Sequence, residues 1–194
     1  MRYVSLDIET TSLEPGPDNI LMLSMVIEDT NRPDVPVEEL PHFTCYIKNK
    51  EPIQGSYFAL AMNSWILDVL SGRAKDVRYK VLTNYDAKTE TENLYWVRQA
   101  QDFLKQHFPT EKRITVAGKN VAGFDMKFMP LEISNLFKHK VIDPAMFYWL
   151  PETDTELPSL GVCKERAHLM TPVTHDARED AMDVIQLIRK AIQS

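Results

Sequence analysis

Cysteine is scarce in this sequence. Cys45 and Cys163 are the only two, too few for a disulfide framework, and neither sits in a closely spaced pair of the kind that binds zinc. A reduced, cytoplasmic setting is expected. Glycine is low, and the prolines are scattered without a period, which excludes collagen-like and low-complexity chains. No long hydrophobic run occurs. The longest apolar stretch, residues 20–27, falls far short of the ~20 residues of a membrane helix, so no membrane partner is expected. The first residues meet an acid at Asp7 before a signal-type apolar core could form, so secretion is not expected. An excess of positive charge is also missing, the net charge being −6. Phosphate contacts need positive charge, so this alone argues weakly against a nucleic-acid partner. Carboxylates that hold divalent cations would offset that deficit, and net charge therefore does not decide the partner.

What is present is the balance of an ordinary globular protein: 44% hydrophobic and 26% charged residues, enough apolar surface to offset the entropy of folding. At about 150 residues per domain, a single domain over 1–194 is expected. Alternation of apolar residues predicts strands at 3–8, 20–27 and 43–47, separated by turn-forming segments and read as an antiparallel meander. A helix is predicted over 59–70. Residues 71–90 are polar and aperiodic and read as a loop or insertion. A helix over 91–107 follows, with Thr91 as its cap and Leu94, Val97 and Leu104 at helical spacing. A short strand at 114–117, a helix over 123–137, a brief strand at 141–142 and a final helix over 177–192 complete the pattern. The class is α/β or α+β.

Three clusters of polar residues carry the chemistry. In a strand, residues two apart share a face, so Asp7 and Glu9 project together while Leu6 and Ile8 point the other way. Two such acids are tolerable in water or around a divalent cation. The second cluster is Asn120 to Asp125. Asp125 lies at a predicted helix start, where a carboxylate suits the helix dipole, and Asn120 suits a turn. The third opens the last helix. Asp176 and Glu179 have capping-box spacing. Asp180 falls on or beside the apolar stripe of Ala177, Ala181, Val184, Ile188 and Ala191, where an unpaired carboxylate is costly and needs a metal or basic partner. Asp183, one turn on, reads as a solvated acid or helper. With Asp176 as cap, His175 lies on the entering loop, where a group of reference pKa near ~6.5 suits a general base. His42, His107, His139 and His168 read as surface or packing residues.

Taken together, Asp7-Ile8-Glu9-Thr10-Thr11, Phe124-Asp125 with Asn120 upstream, and His175 five residues before Asp180 resemble the three motifs of the DEDDh group of 3′–5′ exonucleases, the DnaQ-like branch of the ribonuclease H-like fold. The resemblance spans Asp7 to Asp180. It implies an α/β domain with a mixed five-stranded sheet, the first three strands antiparallel, flanked by helices. It implies two Mg²⁺ or Mn²⁺ ions held by Asp7, Glu9, Asp125 and Asp180, with His175 as the base for the attacking water. The implied reaction is hydrolysis of single-stranded 3′ ends to nucleoside 5′-monophosphates, DNA favoured over RNA. Thr10, Leu13, Asn63 and Asn120 would contact substrate, Leu13 against a base; Ser12 stands where relatives carry Gly. The group includes homodimers and subunits of larger enzymes, and either is a possible assembly.

The basic segment 73–80 could track a phosphate backbone with Tyr79 stacking on a base, although a solvated loop is the plainer reading. Phe58, Trp65, Tyr148 and Trp149 read as core. The rivals are an RNA-trimming or oligoribonuclease-type enzyme, a phosphoesterase acting on a small nucleotide, and a silent nucleic-acid-binding module. Mutually repelling carboxylates argue against the last.

Overall fold

The computed structural model describes residues 1–15, 19–50, 52–85 and 95–193. Its centre is a five-stranded sheet. Strand β1 (Arg2–Thr10) pairs antiparallel with β2 (Ile20–Asp29), and β2 pairs antiparallel with β3 (His42–Lys48). The sheet extends at one edge by β4 (Lys80–Thr83), parallel to β3, and at the other by β5 (Val116–Ala117), parallel to β1. The spatial order is β4-β3-β2-β1-β5. The mixed sheet with an antiparallel meander is the expected one.

Alternation along the strands sorts side chains onto two faces. Val4, Leu6, Ile8, Leu23, Met25, Cys45 and Ile47 join one core, which α3 (Tyr95–His107) covers with Trp96, Val97, Ala100 and Leu104. On the opposite face α8 (Ala177–Gln193) packs across β1 and β2, burying Ala181, Val184, Ile185 and Ile188 against Tyr3 and Val26. The short helices α1 (Tyr57–Met62) and α2 (Ser64–Leu70) lie between β3 and β4, and Ile66 and Leu70 pack on Leu21, Met22 and Tyr46. Asp7 and Glu9 therefore belong to the α8 side of the sheet.

Several expectations are corrected. Residues 71–90 are not simply a loop, because β4 lies inside the segment. Of its four residues only Leu82 is buried, too little apolar content to announce a strand, and β3 supplies the pairing edge. Residues 141–142 form no strand of the sheet; Ile142 makes a single bridge to Ala117. The helix read over 59–70 is two helices meeting at Asn63. The helix read over 123–137 is α4 (Asp125–Phe128) and α5 (Leu131–Ser134), interrupted at Pro130, whose ring disfavours helical backbone in Met129. The chain also forms α6 (Ala145–Tyr148) and α7 (Leu160–Arg166), which the sequence reading left unassigned. Thr91 and Leu94, and residues 86–90 of the segment read as a loop, lie outside the described residues.

Candidate active site

The site forms where β1 outruns its neighbour. Pairing of β1 with β5 covers only Val4 and Ser5. The chain then turns away at Gly118, where a Cβ would stand 2.7 Å from the Leu6 carbonyl oxygen. The edge of β1 beyond Leu6 is left to α4, and the Ile8 N–H donates to Asp125 Oδ1 at 3.2 Å. Asp125 is buried in this position. From the other direction α8 brings Asp180, also buried, toward Glu9. Ligand atoms of Glu9, Asp180 and His175 lie within 4.8 Å of one another. Three separated segments thus deliver Asp7, Glu9, Asp125, Asp180 and His175 to one place.

The electrostatics match the crowding. Burial raises the Asp7 carboxyl well above its ordinary range, and Asp125, Glu9 and Asp180 add like-charge repulsion. Glu9 is pushed up to about 8, by burial first and Asp180 next, partly offset by a hydrogen bond from Asn63. Burial lifts Asp125 to about 7 against the Ile8 hydrogen bond, and Asp180 to about 7 with Asp183 as the next cause. Among the described residues no Lys or Arg makes a salt bridge to any of the four. Asp180 Oδ1 is buried with no hydrogen-bond partner, a costly state for a carboxylate oxygen.

His175 stands before α8, as the cap assignment requires. Asp176 Oδ1 accepts from the Arg178 N–H at 3.0 Å and the Glu179 N–H at 3.4 Å. His175 is exposed, and its φ of 54° lies in the left-handed region, an uncommon backbone state for a residue other than glycine. Asp176 does more than cap: it is buried, it raises the carboxyls of Asp7 and Glu9, and the Arg78 guanidinium holds it at 3.2 Å. Asp183 is not solvated. It is buried and ion-paired with the buried Lys164. No sequence signal links these two, because the pairing needs α7, which carries no strong periodicity.

No family model matches the sequence, and no curated protein does. Solved structures do. The chain aligns over 99% of its length with the nuclease domain of 3′hExo, a DEDDh family member bound to rAMP, at 13% identity and a TM-score of 0.63, covering 92% of that chain. It aligns over 99% with cell-death related nuclease 4 (CRN-4) at 15% identity and a TM-score of 0.61. It aligns equally with E. coli ExoI in complex with single-stranded DNA, at 16% identity and a TM-score of 0.61. The chain shares the fold of these solved nucleases. It spans 64% of the CRN-4 chain and 40% of the ExoI chain.

Within this fold, the residues expected to meet substrate are distributed unevenly. Leu13 is exposed, available to a ligand. Thr10 is buried, and its Oγ1 donates to the Ser12 carbonyl at 2.8 Å, bracing the turn after β1. Asn63 is buried, and its Nδ2 donates to the Thr10 carbonyl at 2.9 Å instead of facing solvent. Asn120 is exposed with a φ of 55°, and its N–H donates to Asp143 Oδ2 at 2.8 Å. Its carbonyl accepts from the Gly123 and Phe124 N–H groups in the turn into α4. Tyr79 does not offer a stacking face. It is buried against Tyr46, and Arg78 lies over its ring while paired with Asp76 and Asp176. Phe58 and Trp149 are exposed, contrary to the core assignment, whereas Tyr148 donates its hydroxyl to the Leu187 carbonyl at 2.8 Å.

Proposed function

We propose that this chain is a divalent-metal-dependent 3′–5′ exonuclease of the DEDDh group, releasing nucleoside 5′-monophosphates from single-stranded 3′ ends. One observation carries the reading: Asp7, Glu9, Asp125 and Asp180 converge in a buried site where, among the described residues, none of them has a salt-bridge partner, and Asp180 Oδ1 is left with no hydrogen bond. Like charges placed this way destabilise the fold unless cations join them. The donors are hard oxygens with one imidazole alongside, which suits Mg²⁺ or Mn²⁺ better than zinc. The residues present fit such ions, and Asp7, Glu9, Asp125 and Asp180 would hold them. When bound, the cations supply Lewis-acid activation of the reacting oxygens and neutralise charge on the phosphate.

The chain's own residues do the rest. The Ile8 N–H fixes the Asp125 carboxylate at the strand edge, and Asn63 favours the charged form of Glu9. His175, exposed on its loop beside Glu9 and Asp180, reaches the attacking water and accepts its proton on the imidazole. The water oxygen bonds to phosphorus as the bond from phosphorus to the upstream 3′ oxygen breaks. That oxygen leaves on the shortened strand, and the released nucleotide carries a 5′-phosphate. Leu13 meets the terminal base at the open side of the site.

The test is incubation of a 5′-labelled single-stranded oligonucleotide with Mg²⁺, with Mn²⁺ and with EDTA. A ladder shortening from the 3′ end, abolished by EDTA and by Asp7→Asn, is expected. DNA is the first substrate in this reading, and RNA of matched sequence is the comparison. Stable binding without cleavage in either metal contradicts the enzyme and leaves a binding module.

A further inference from the structure

The loop that carries His175 is fastened at several points, and one residue supplies two of them. Helix α7 ends at Ala167, and the chain reverses through His168, whose φ is 55°. The Leu169 N–H donates to the Lys164 carbonyl at 2.8 Å, closing the start of the loop. The Lys164 side chain then crosses beneath it. Its ammonium donates to the Pro172 carbonyl at 3.1 Å and pairs with Asp183 Oδ2. Two residues later, the Thr174 backbone lies beside the Asp180 carboxyl and favours its charged form. His175 follows at once, exposed while the segment below it is pinned.

Lys164 is 2% exposed, and burying an ammonium and a carboxylate is a poor way to gain stability. Replacing such a pair by apolar residues of similar volume is often neutral or stabilising. What apolar residues could not reproduce is the link to the Pro172 carbonyl. Asp183 sits three residues after Asp180, on the neighbouring position of the same face of α8. The pair therefore relates the loop to the turn of α8 that carries Asp180.

We propose that Lys164 is a positioning residue: by tying Pro172 to Asp183 it sets the His175 loop over α8 and fixes where the imidazole stands relative to Asp180. What is positioned, a base, rests on the exonuclease reading; the tether itself does not. Removing both charges together, Lys164→Met with Asp183→Leu, avoids stranding either one in the core. A milder pair, Lys164→Gln with Asp183→Asn, keeps a neutral hydrogen bond but is too short to hold Pro172, and it serves if the first does not fold. Lys164→Arg retains a cation with several donors.

Three readings are compared in the full chain: amide hydrogen exchange over 169–175 without metal, kcat and KM on a single-stranded oligonucleotide, and Mn²⁺ affinity by titration. In the double variants, exchange over 169–175 rises by about tenfold while the sheet stays protected. The kcat falls by about 10- to 10²-fold, the scale of a misplaced catalytic group. KM and Mn²⁺ affinity hold, and Lys164→Arg restores most of kcat. Unchanged exchange overturns the tether. Faster exchange with unchanged kcat overturns the positioning role, and so does a loss of Mn²⁺ affinity in step with kcat, which would place the pair in cation binding. A wild-type protein that cleaves no oligonucleotide overturns the exonuclease reading and the role given to His175, while the exchange result still decides the tether.

Discussion

Asp125 accepts a hydrogen bond from the Ile8 backbone N–H at 3.2 Å, across 117 residues of chain. The bond exists because β5 stops pairing at Ser5 and leaves the next stretch of β1 open. The bond also places a second carboxylate beside Asp7. Asp125→Asn keeps an acceptor for Ile8 and removes one repelling charge. Without metal at pH 8, the variant should unfold at a higher temperature than wild type, by a few degrees, at about 2–4 °C per kcal/mol for a chain of this size. Hydrolysis should be lost. Thermal scans in EDTA beside an oligonucleotide assay check both halves.

Stability of the metal-free protein should fall as pH rises. Glu9 moves from 4.5 to about 8, and Asp125 and Asp180 from 3.8 to about 7. Between those limits the folded state binds more protons than the unfolded state. Stability therefore declines with rising pH through that window and levels off above it. Melting temperatures in EDTA at pH 5, 6, 7 and 8 should step downward. A flat series would mean that these carboxyls are not crowded together.

Divalent cations should reverse that loss. A ligand that binds only the folded state stabilises by about 2.7 kcal/mol at a hundred times its dissociation constant. Mg²⁺ or Mn²⁺ at pH 8 should raise the melting temperature of wild type. Asp180→Asn, which removes the acid with the unpartnered buried oxygen, should lose most of the increase. An equal increase in that variant would place the cations elsewhere.

His175→Gly separates backbone from imidazole. The φ of 54° costs His175 conformational energy that glycine does not incur. The variant should be as stable as wild type or slightly more so. Its turnover should fall by roughly 10²–10⁴-fold if the ring accepts the proton. Circular dichroism melts and single-turnover rates give the two numbers.

Much of the acid set was legible because it rests on short-range geometry. The two-residue strand period puts Asp7 and Glu9 on one face, and the Asp176 cap places His175 ahead of α8. Burial of Asp180 followed from the apolar stripe. What was not legible depends on partners far along the chain. Strand β4 exists because β3 offers an edge, not because Lys80-Val81-Leu82-Thr83 is strongly apolar. Tyr79 is buried because β4 carries it against Tyr46. The Lys164–Asp183 pair needs α7 and α8 packed together. Asn63 is a substrate contact only by the family resemblance, while its amide is held by the Thr10 carbonyl.

The most direct measurement is anomalous diffraction from a crystal of the wild-type chain soaked in Mn²⁺. Manganese peaks within coordination distance of Asp7, Glu9, Asp125 and Asp180 are expected, with His175 facing them. A difference map without density there, or manganese bound only at other carboxylates, would contradict the account.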